Sequence, residues 1–196
     1  MDNELIAEEQ GFKLYVAQDD MSPGSPREWD SNLGKMICWH RNYDLGDKHS
    51  FRDNQEFMAW WKEEGKGGVL LPLALLDHSG LSMWVGSEAS PFDPGGWDSG
   101  QVGWTYATKE MIVKEYGKNK RKLAEKVLRG EVETYDQYLK GDVYGYIIKN
   151  PDGETVDSCW GFYGYEYCIE EGKSRLKHEV ENYNKEEQMA ERYMAL

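Results

Sequence analysis

The sequence predicts a single α+β domain over residues 1–196, with a mainly antiparallel sheet, helices on one side and a long C-terminal helix. Predicted strands follow one another through short turns and predicted helices are grouped, whereas a doubly wound parallel sheet would need the two to alternate. A chain of 196 residues is long enough for one domain with a substantial core. The last helix is predicted from about Tyr165 to Tyr193, because its apolar residues keep three- and four-residue spacing.

Turn residues and a helix cap divide the first half of the chain. Asp53 is followed three residues later by Glu56, which is the signature of a capping box and predicts a helix that ends before Gly65. The sequence Asp-His-Ser-Gly at 77–80 is typical of a tight hairpin. The predicted strands of this half cover residues 12–17, 35–39, 69–76, 81–85 and 101–107.

The second half begins with helices and ends with a hairpin and the long helix. Thr108 is a predicted N-cap for a helix that ends at Gly117. Two further helices, 119–129 and 131–140, are predicted on either side of Gly130, because glycine commonly ends a helix. The turn sequence Asn-Pro-Asp-Gly at 150–153 predicts a hairpin between strands 143–149 and 155–162.

The apolar runs and the cysteines indicate a cytoplasmic protein. No run approaches the roughly 20 apolar residues of a membrane span, and the first residues lack the basic start and apolar stretch of a signal peptide. Cys38, Cys159 and Cys168 form no CxxC pair and are odd in number, which favours reduced thiols over a disulfide framework.

Charge is the strongest compositional signal for a partner. The net charge is −13, so the chain lacks the basic surface with which proteins usually bind duplex DNA, and an acidic surface suits a positively charged partner. Residues 109–129 are the exception, with eight basic and three acidic residues, which gives +5 there and leaves −18 elsewhere. This basic stretch is a solvated helix face, a site for a phosphate-bearing ligand, or a contact with an acidic face of another copy in a homo-oligomer.

Polar and aromatic residues at predicted strand ends are the candidate ligand-binding residues. Loops at strand ends display functional groups on a rigid sheet, although Asp, Ser and Gly are also ordinary turn residues. The candidates are His40, Arg41, His49, Asp77, His78, Trp97, Asp98, Gln101 and Trp104.

No pattern in the sequence specifies a reaction, which favours a binding protein over an enzyme. Neither Ser79 nor Ser99 lies in a GxSxG elbow, and no phosphate-binding glycine fingerprint is present. No catalytic residue, metal or cofactor is therefore assigned. A metal-dependent hydrolase is the alternative, and its ligands would come from His40, His49, His78, Asp44, Asp47 and Asp98.

The segment from Trp97 to Trp104 has two interpretations. Strand alternation after Gln101 places glycine opposite aromatic residues, which lets a ligand or another backbone approach closely. With His40 and Arg41 it would form a stacking pocket for a base. Alternatively, the aromatic residues form a cross-strand ladder in the core.

Several strings together resemble a family of small proteins encoded by tailed phages and integrated mobile elements. The resemblance spans about Trp29 to Gly164 and implies an accessory gene of a mobile element acting in a bacterial cytoplasm. The resemblance does not specify an activity, so no catalytic residues are carried over from it. The strings are Cys38-Trp39-His40-Arg41, Gly46-Asp47-Lys48-His49-Ser50-Phe51, Leu76-Asp77-His78-Ser79-Gly80, Trp97-Asp98-Ser99-Gly100-Gln101-Val102-Gly103 and Asp157-Ser158-Cys159-Trp160-Gly161-Phe162.

These observations lead to one expectation and two competitors. We expect an accessory protein that binds and interferes with a host factor, for example an anti-restriction or anti-CRISPR inhibitor that imitates DNA toward a basic nuclease. The competitors are a nucleotide-type small-ligand binder and, less favoured by the residues, the metal-dependent hydrolase.

Overall fold

The structure is a computed structural model that describes residues 3–21 and 23–194. Positions 1, 2, 22, 195 and 196 of the predicted 1–196 domain lie outside the described residues. In chain order, the elements are β1 (Glu4–Glu9), β2 (Phe12–Gln18), β3 (Lys35–Cys38), α1 (Asn54–Glu64), β4 (Val69–Asp77), β5 (Leu81–Val85), β6 (Ser99–Ala107), α2 (Lys109–Tyr116), α3 (Arg121–Lys140), β7 (Val143–Lys149), β8 (Thr155–Tyr163) and α4 (Tyr165–Met194).

The chain forms two compact units, each with its own antiparallel sheet. The first unit contains Met1–Pro23 and Gly141–Leu196, and the second contains Gly24–Lys140. The predicted α+β class, the antiparallel pairing and the long C-terminal helix are confirmed. The assignment of residues 1–196 to one domain concerns independent folding, and it stays a prediction.

The sheet of the first unit has the strand order β1-β2-β7-β8, and α4 packs on one of its faces. Every second residue of β2 and β7 points toward the helix, as strand alternation requires. Gly172 lets the helix approach, since a Cβ there would lie 2.9 Å from Leu14 Cδ1. The buried core consists of Phe12, Leu14, Val16, Tyr146, Ile148, Cys168, Leu176 and Val180.

Strand β1 is a feature that sequence analysis missed. It pairs with β2 through the turn at Gln10 and Gly11, whose φ angles are +51° and +83°. Positive φ at both central residues is the requirement of the type I′ hairpin turn. Glutamates at both ends of β1 hide the strand pattern, and on an edge strand such charges oppose pairing with another chain.

The sheet of the second unit has the order β3-β6-β4-β5 and contacts helices on both faces. Ala107 packs with Leu128 of α3, whereas the ring of Tyr106 contacts Trp60 and Trp61 of α1. Adjacent strand residues point to opposite faces, so α3 and α1 cover different sides of β6. Within this unit the helical partners therefore lie on both sides, whereas α4 packs on one side in the first unit.

Helix α3 continues through Gly130, so the predicted division into two helices is wrong. Ala124, Leu128, Val132 and Tyr135 form one buried stripe across the glycine. An interior glycine costs a helix only about 0.5–1 kcal/mol relative to alanine, which the burial of this stripe outweighs. Tertiary packing therefore overrides the tendency of Gly130 to end the helix.

A buried ionic network holds the chain before β3. The guanidinium of Arg27, a residue 7% exposed, donates to Asp47 Oδ2 at 2.8 Å and to Glu131 Oε2 at 3.2 Å. Asp47 also accepts a hydrogen bond from Met36 N at 2.7 Å, and Glu131 accepts one from Leu33 N at 2.6 Å. One arginine thus joins β3 and its preceding loop to α3.

Candidate binding surfaces

The end of the second unit's sheet brings three predicted residues together. Asp77, the last residue of β4, donates its backbone N–H to Asp98 O at 2.8 Å. The next residue, His78, places Nδ1 3.0 Å from Asp98 Oδ2. Ser79 takes φ +58° in the tight turn before β5, as the hairpin sequence predicts. The His78–Asp98 pair is largely exposed, so it lies on an open surface.

The turn after β3 extends this surface. The ring of His40 stacks on Tyr43 with centroids 5.1 Å apart, and Tyr43 Oη donates to Asp77 Oδ1 at 3.4 Å. Arg41 is exposed in the same turn. We call His40, Tyr43, Asp77, His78 and Asp98 the sheet-end surface. Tyr43 was missed by sequence analysis, because nothing in its local sequence separates it from an ordinary turn tyrosine.

Residues 87–98 form the loop that precedes β6, and we call it the aromatic loop. Asp93 holds it closed, because Oδ1 accepts from Trp97 N at 3.2 Å and Oδ2 accepts from Asp98 N at 2.8 Å and from Ser99 Oγ at 2.9 Å. Ser90 N donates to Ser99 Oγ at 2.9 Å. Desolvation alone would raise the pKa of Asp93, but these hydrogen bonds outweigh it and hold that pKa below its usual value.

Two large aromatic side chains project from this closed loop. Phe92 is 91% exposed and Trp97 is 90% exposed. Gly95 lies directly under the Trp97 indole, since a Cβ there would come within 2.6 Å of Trp97 Cδ1. Both aromatic groups are therefore presented to solvent by a loop whose backbone is already fixed. Phe92 was not predicted, although an aromatic residue among Pro and Gly with no periodic apolar neighbours is the signal that points to it.

The remaining predicted residues serve the local structure elsewhere. His49 Nε2 lies 3.1 Å from Cys38 O, and its ring packs edge-on against Trp39. Trp104 Nε1 donates to Asn54 Oδ1 at 2.7 Å, which ties β6 to the start of α1. Gln101 Nε2 donates to Gly103 O at 3.3 Å. Trp97 N donates to Asp93 and Trp104 Nε1 donates to Asn54, and the predicted stacking pocket stays a prediction.

The alternative of a metal-dependent hydrolase would need several metal ligands in one place within residues 3–21 and 23–194. No group of three or more His, Cys, Asp or Glu side chains there is placed to hold a metal ion. His49 is bound to the Cys38 carbonyl, while His78 pairs with Asp98, so the histidines do not converge. The hydroxyl of Ser99 is engaged by the aromatic loop and has no histidine partner among its hydrogen bonds there.

The first unit has a different candidate surface, defined by charge. It contains 18 Asp and Glu against 7 Lys and Arg, a net charge of −11, whereas the second unit has 18 against 16, a net charge of −2. Among the 17 of those 18 carboxylates that the structure describes, two form ion pairs, Asp157 and Glu179. Lys173, Lys177 and Lys185 are exposed on α4 without an ion-pair partner in the described chain. The negative charge of this unit is therefore mostly unpaired.

Comparisons with known proteins add no relative. No protein-family model matches the chain, and no curated protein or solved structure matches it either. The resemblance to a phage-encoded family therefore stays a prediction. In the described part of the chain, every helix is too short or too polar to cross a membrane.

Proposed function

We propose that this protein is a non-catalytic accessory protein of a phage or mobile element. It acts in the bacterial cytoplasm, where it binds a host protein that carries a basic surface and interferes with it. A nuclease of a restriction or CRISPR system is the concrete version of that partner, because such enzymes have positive clefts for nucleic acid.

The unpaired charge of the first unit is the observation that carries this proposal. Fifteen of its 17 described carboxylates have no ion-pair partner among the described residues, and the unit has a net charge of −11. Charges that are not matched within the protein remain available to a partner, and long-range attraction raises the rate of encounter with a positive cleft. Direct binding to duplex DNA is disfavoured by the same charge.

The test is affinity capture from a bacterial lysate with the full-length protein, at about 50 mM salt and again at about 500 mM salt. Exposed charges separated by more than a few ångströms are strongly screened at the higher concentration. We expect a basic, nucleic-acid-handling protein to bind at low salt and to elute at high salt. Recovery of no such protein at low salt would contradict the proposal.

A matched pair of variants locates the effect. Glu170, Glu171 and Glu181 are exposed on α4 and unpaired, so their joint replacement by Gln removes three charges without breaking an ion pair. The control replaces Glu63, Glu64 and Glu133, which are exposed in the second unit and equally free of ion pairs within the described residues. Capture should weaken with the first triple variant and stay close to wild type with the second.

A nucleotide-type ligand is the second candidate, and the exposed Trp97 is the observation that favours it. Bases stack on exposed aromatic side chains with about 1–3 kcal/mol each. Thermal-shift screening against linear and cyclic nucleotides tests it, since a ligand at 100 times its Kd stabilises the folded state by about 2.7 kcal/mol. The metal-dependent hydrolase is tested by elemental analysis of the purified protein, in which a stoichiometric metal would support it.

A further inference from the structure

The aromatic loop has features of an anchor for a partner. Large aromatic residues at the centre of an interface usually supply most of its binding energy, and they do so best when they are fixed before binding. Phe92 and Trp97 are almost fully exposed, yet the loop that carries them is cross-linked by Asp93. Little ordering would therefore be needed when a partner covers them.

The charge around the loop specifies which partner fits. Between Lys66 and Lys109 the sequence contains no Lys or Arg, and its only carboxylates are Asp77, Glu88, Asp93 and Asp98. Among the described residues, the only ion pair that any of these four makes is the pair of Asp98 with His78. Arg41 directly follows His40 in sequence, so it lies in the turn that forms part of the sheet-end surface. The chain segment that carries the two aromatic side chains, residues 67–108, therefore has four formal negative charges and no formal positive charge.

We propose that the aromatic loop binds an arginine-bearing segment of a protein partner. A guanidinium would lie over the Trp97 indole, where the ring's negative face attracts a cation, and Glu88 and Asp98 would accept hydrogen bonds from neighbouring basic groups. Phe92 would cover the apolar part of the same segment. This inference rests on the proposed binding function and adds to it a surface in the second unit and the chemistry that the surface recognises.

The same charges disfavour the other occupants. A nucleotide would stack on Trp97, but its phosphates would approach a segment, residues 67–108, that contains four carboxylates and no lysine or arginine. A second copy of this chain has a net charge of −13 and would be attracted to this surface only through its basic stretch at 109–129. Both occupants remain distinct outcomes of the experiment.

The test measures binding of a defined probe to the full-length protein. The probe is a fluorescein-labelled 12-residue peptide in which Arg alternates with Gly and Ser, and matched peptides carry Lys or Glu in place of Arg. Fluorescence anisotropy should show the order Arg, then Lys, with no binding of the Glu peptide. Trp97→Ala should weaken binding of the Arg peptide by about tenfold or more, and Phe92→Ala by severalfold.

Two further variants separate anchoring from folding and from general acidity. Tyr193→Ala removes a 76% exposed aromatic side chain from the end of α4 and should leave peptide binding unchanged. Asp93→Ala keeps both aromatic side chains but removes the cross-links of the loop, so binding should weaken about tenfold while the far-UV circular dichroism spectrum stays that of the wild type. Loss of binding together with loss of the wild-type spectrum would show instead that Asp93→Ala unfolds the protein, and the result for Trp97→Ala then decides.

Three results would overturn the inference. The first is that Trp97→Ala binds the Arg peptide as tightly as the wild type does. The second is that a nucleoside triphosphate binds more tightly than the peptide. The third is that the wild-type protein self-associates and Trp97→Ala does not. The proposed function is tested in the same assay by the joint replacement of Glu170, Glu171 and Glu181. If their joint replacement by Gln abolishes peptide binding and Trp97→Ala does not, the basic partner binds the first unit and only the loop inference fails.

Discussion

The two units of this chain contain the same number of carboxylates but use them differently. Each has 18 Asp and Glu, yet the first unit has a net charge of −11 and the second a net charge of −2. In the second unit six carboxylates form ion pairs, whereas in the described part of the first unit two do. The basic stretch at 109–129, which contributes +5, brings the second unit close to neutral, whereas the first unit has no such stretch and keeps its negative charge.

The two units also differ in the side chains that they bury. The second unit buries the guanidinium of Arg27 between Asp47 and Glu131, whereas the core of the first unit consists of apolar and aromatic side chains with Cys168. In the first unit, Asp157 and Glu179 both pair with Arg175, which is half exposed, and Glu179 also lies 3.7 Å from the exposed His178. Charge thus contributes to internal structure in one unit and to the surface in the other.

The largest expected effect comes from breaking the buried network. Arg27→Met leaves Asp47 and Glu131 buried without their cation, and removal of one partner from a buried ion pair typically costs about 3–5 kcal/mol. We expect a loss of that size in the free energy of unfolding, measured by urea denaturation.

The matched change in the first unit is Arg175→Met. Its ion pairs to Asp157 and Glu179 are partly exposed, and such pairs contribute at most about 1 kcal/mol. Equal losses for the two variants would contradict the distinction between internal and surface charge in the two units.

The second prediction compares two glycines at close approaches. A Cβ at Gly103 would lie 2.0 Å from the carbonyl oxygen of Ile37, so Gly103→Ala must separate the backbones of β3 and β6. We expect a destabilisation of about 1–3 kcal/mol, as for overpacked cores.

In the first unit, a Cβ at Gly172 would meet mainly the methyl groups of Leu14, and alanine improves helix propensity. Gly172→Ala should therefore cost less than about 1 kcal/mol in chemical denaturation. A larger loss at Gly172 than at Gly103 would show that side-chain packing in the first unit is stiffer than backbone pairing in the second.

Sequence analysis succeeded where local signals and packing agree. The hairpin strand Leu81–Val85, the capping residues Asp53 and Thr108, and the strand Val143–Lys149 lie where the turn and cap residues predict them. It failed at β1, whose glutamates hide the strand pattern, and at Gly130, where a buried stripe overrides a helix-ending residue. Both failures involve tertiary contacts that no local window contains.

The candidate surfaces were predicted in part. Asp77, His78 and Asp98 lie close together because β4 pairs with both β5 and β6. Sequence analysis had selected them because they lie at predicted strand ends. That His40 stacks on Tyr43 and so reaches Asp77 depends on the order β3-β6-β4-β5, which residue patterns do not specify. The exposure of Trp97 depends on the hydrogen bonds of Asp93, which composition alone does not reveal.

The Cys38 thiol makes the stability of the second unit depend on alkaline pH. Burial, and then the charge of Asp47, raise the pKa of Cys38 from 9.0 to about 12. A folded-state pKa above the unfolded value means that the stabilisation is complete below pH 9 and is lost as the pH rises toward 12. The free energy of unfolding should therefore fall by at most about 1.4 kcal/mol per pH unit above pH 9 through this thiol.

Cys38→Ala isolates that contribution. The difference in free energy of unfolding between wild type and variant should be constant from pH 7 to 8 and should shift in favour of the variant from pH 9 to 11. In Ellman titration of the native protein, Cys159 should react first, because Cys38 and Cys168 are buried. Parallel stability curves up to pH 11 would refute the assignment.

The most direct test of the account is the salt dependence of partner binding, measured by surface plasmon resonance with the captured host protein. The slope of log Kd against log salt reports how many charges the partner neutralises. The account predicts a smaller slope for the Gln variant of Glu170, Glu171 and Glu181, and an unchanged slope for the Gln variant of Glu63, Glu64 and Glu133. Equal slopes for wild type and both variants would contradict it.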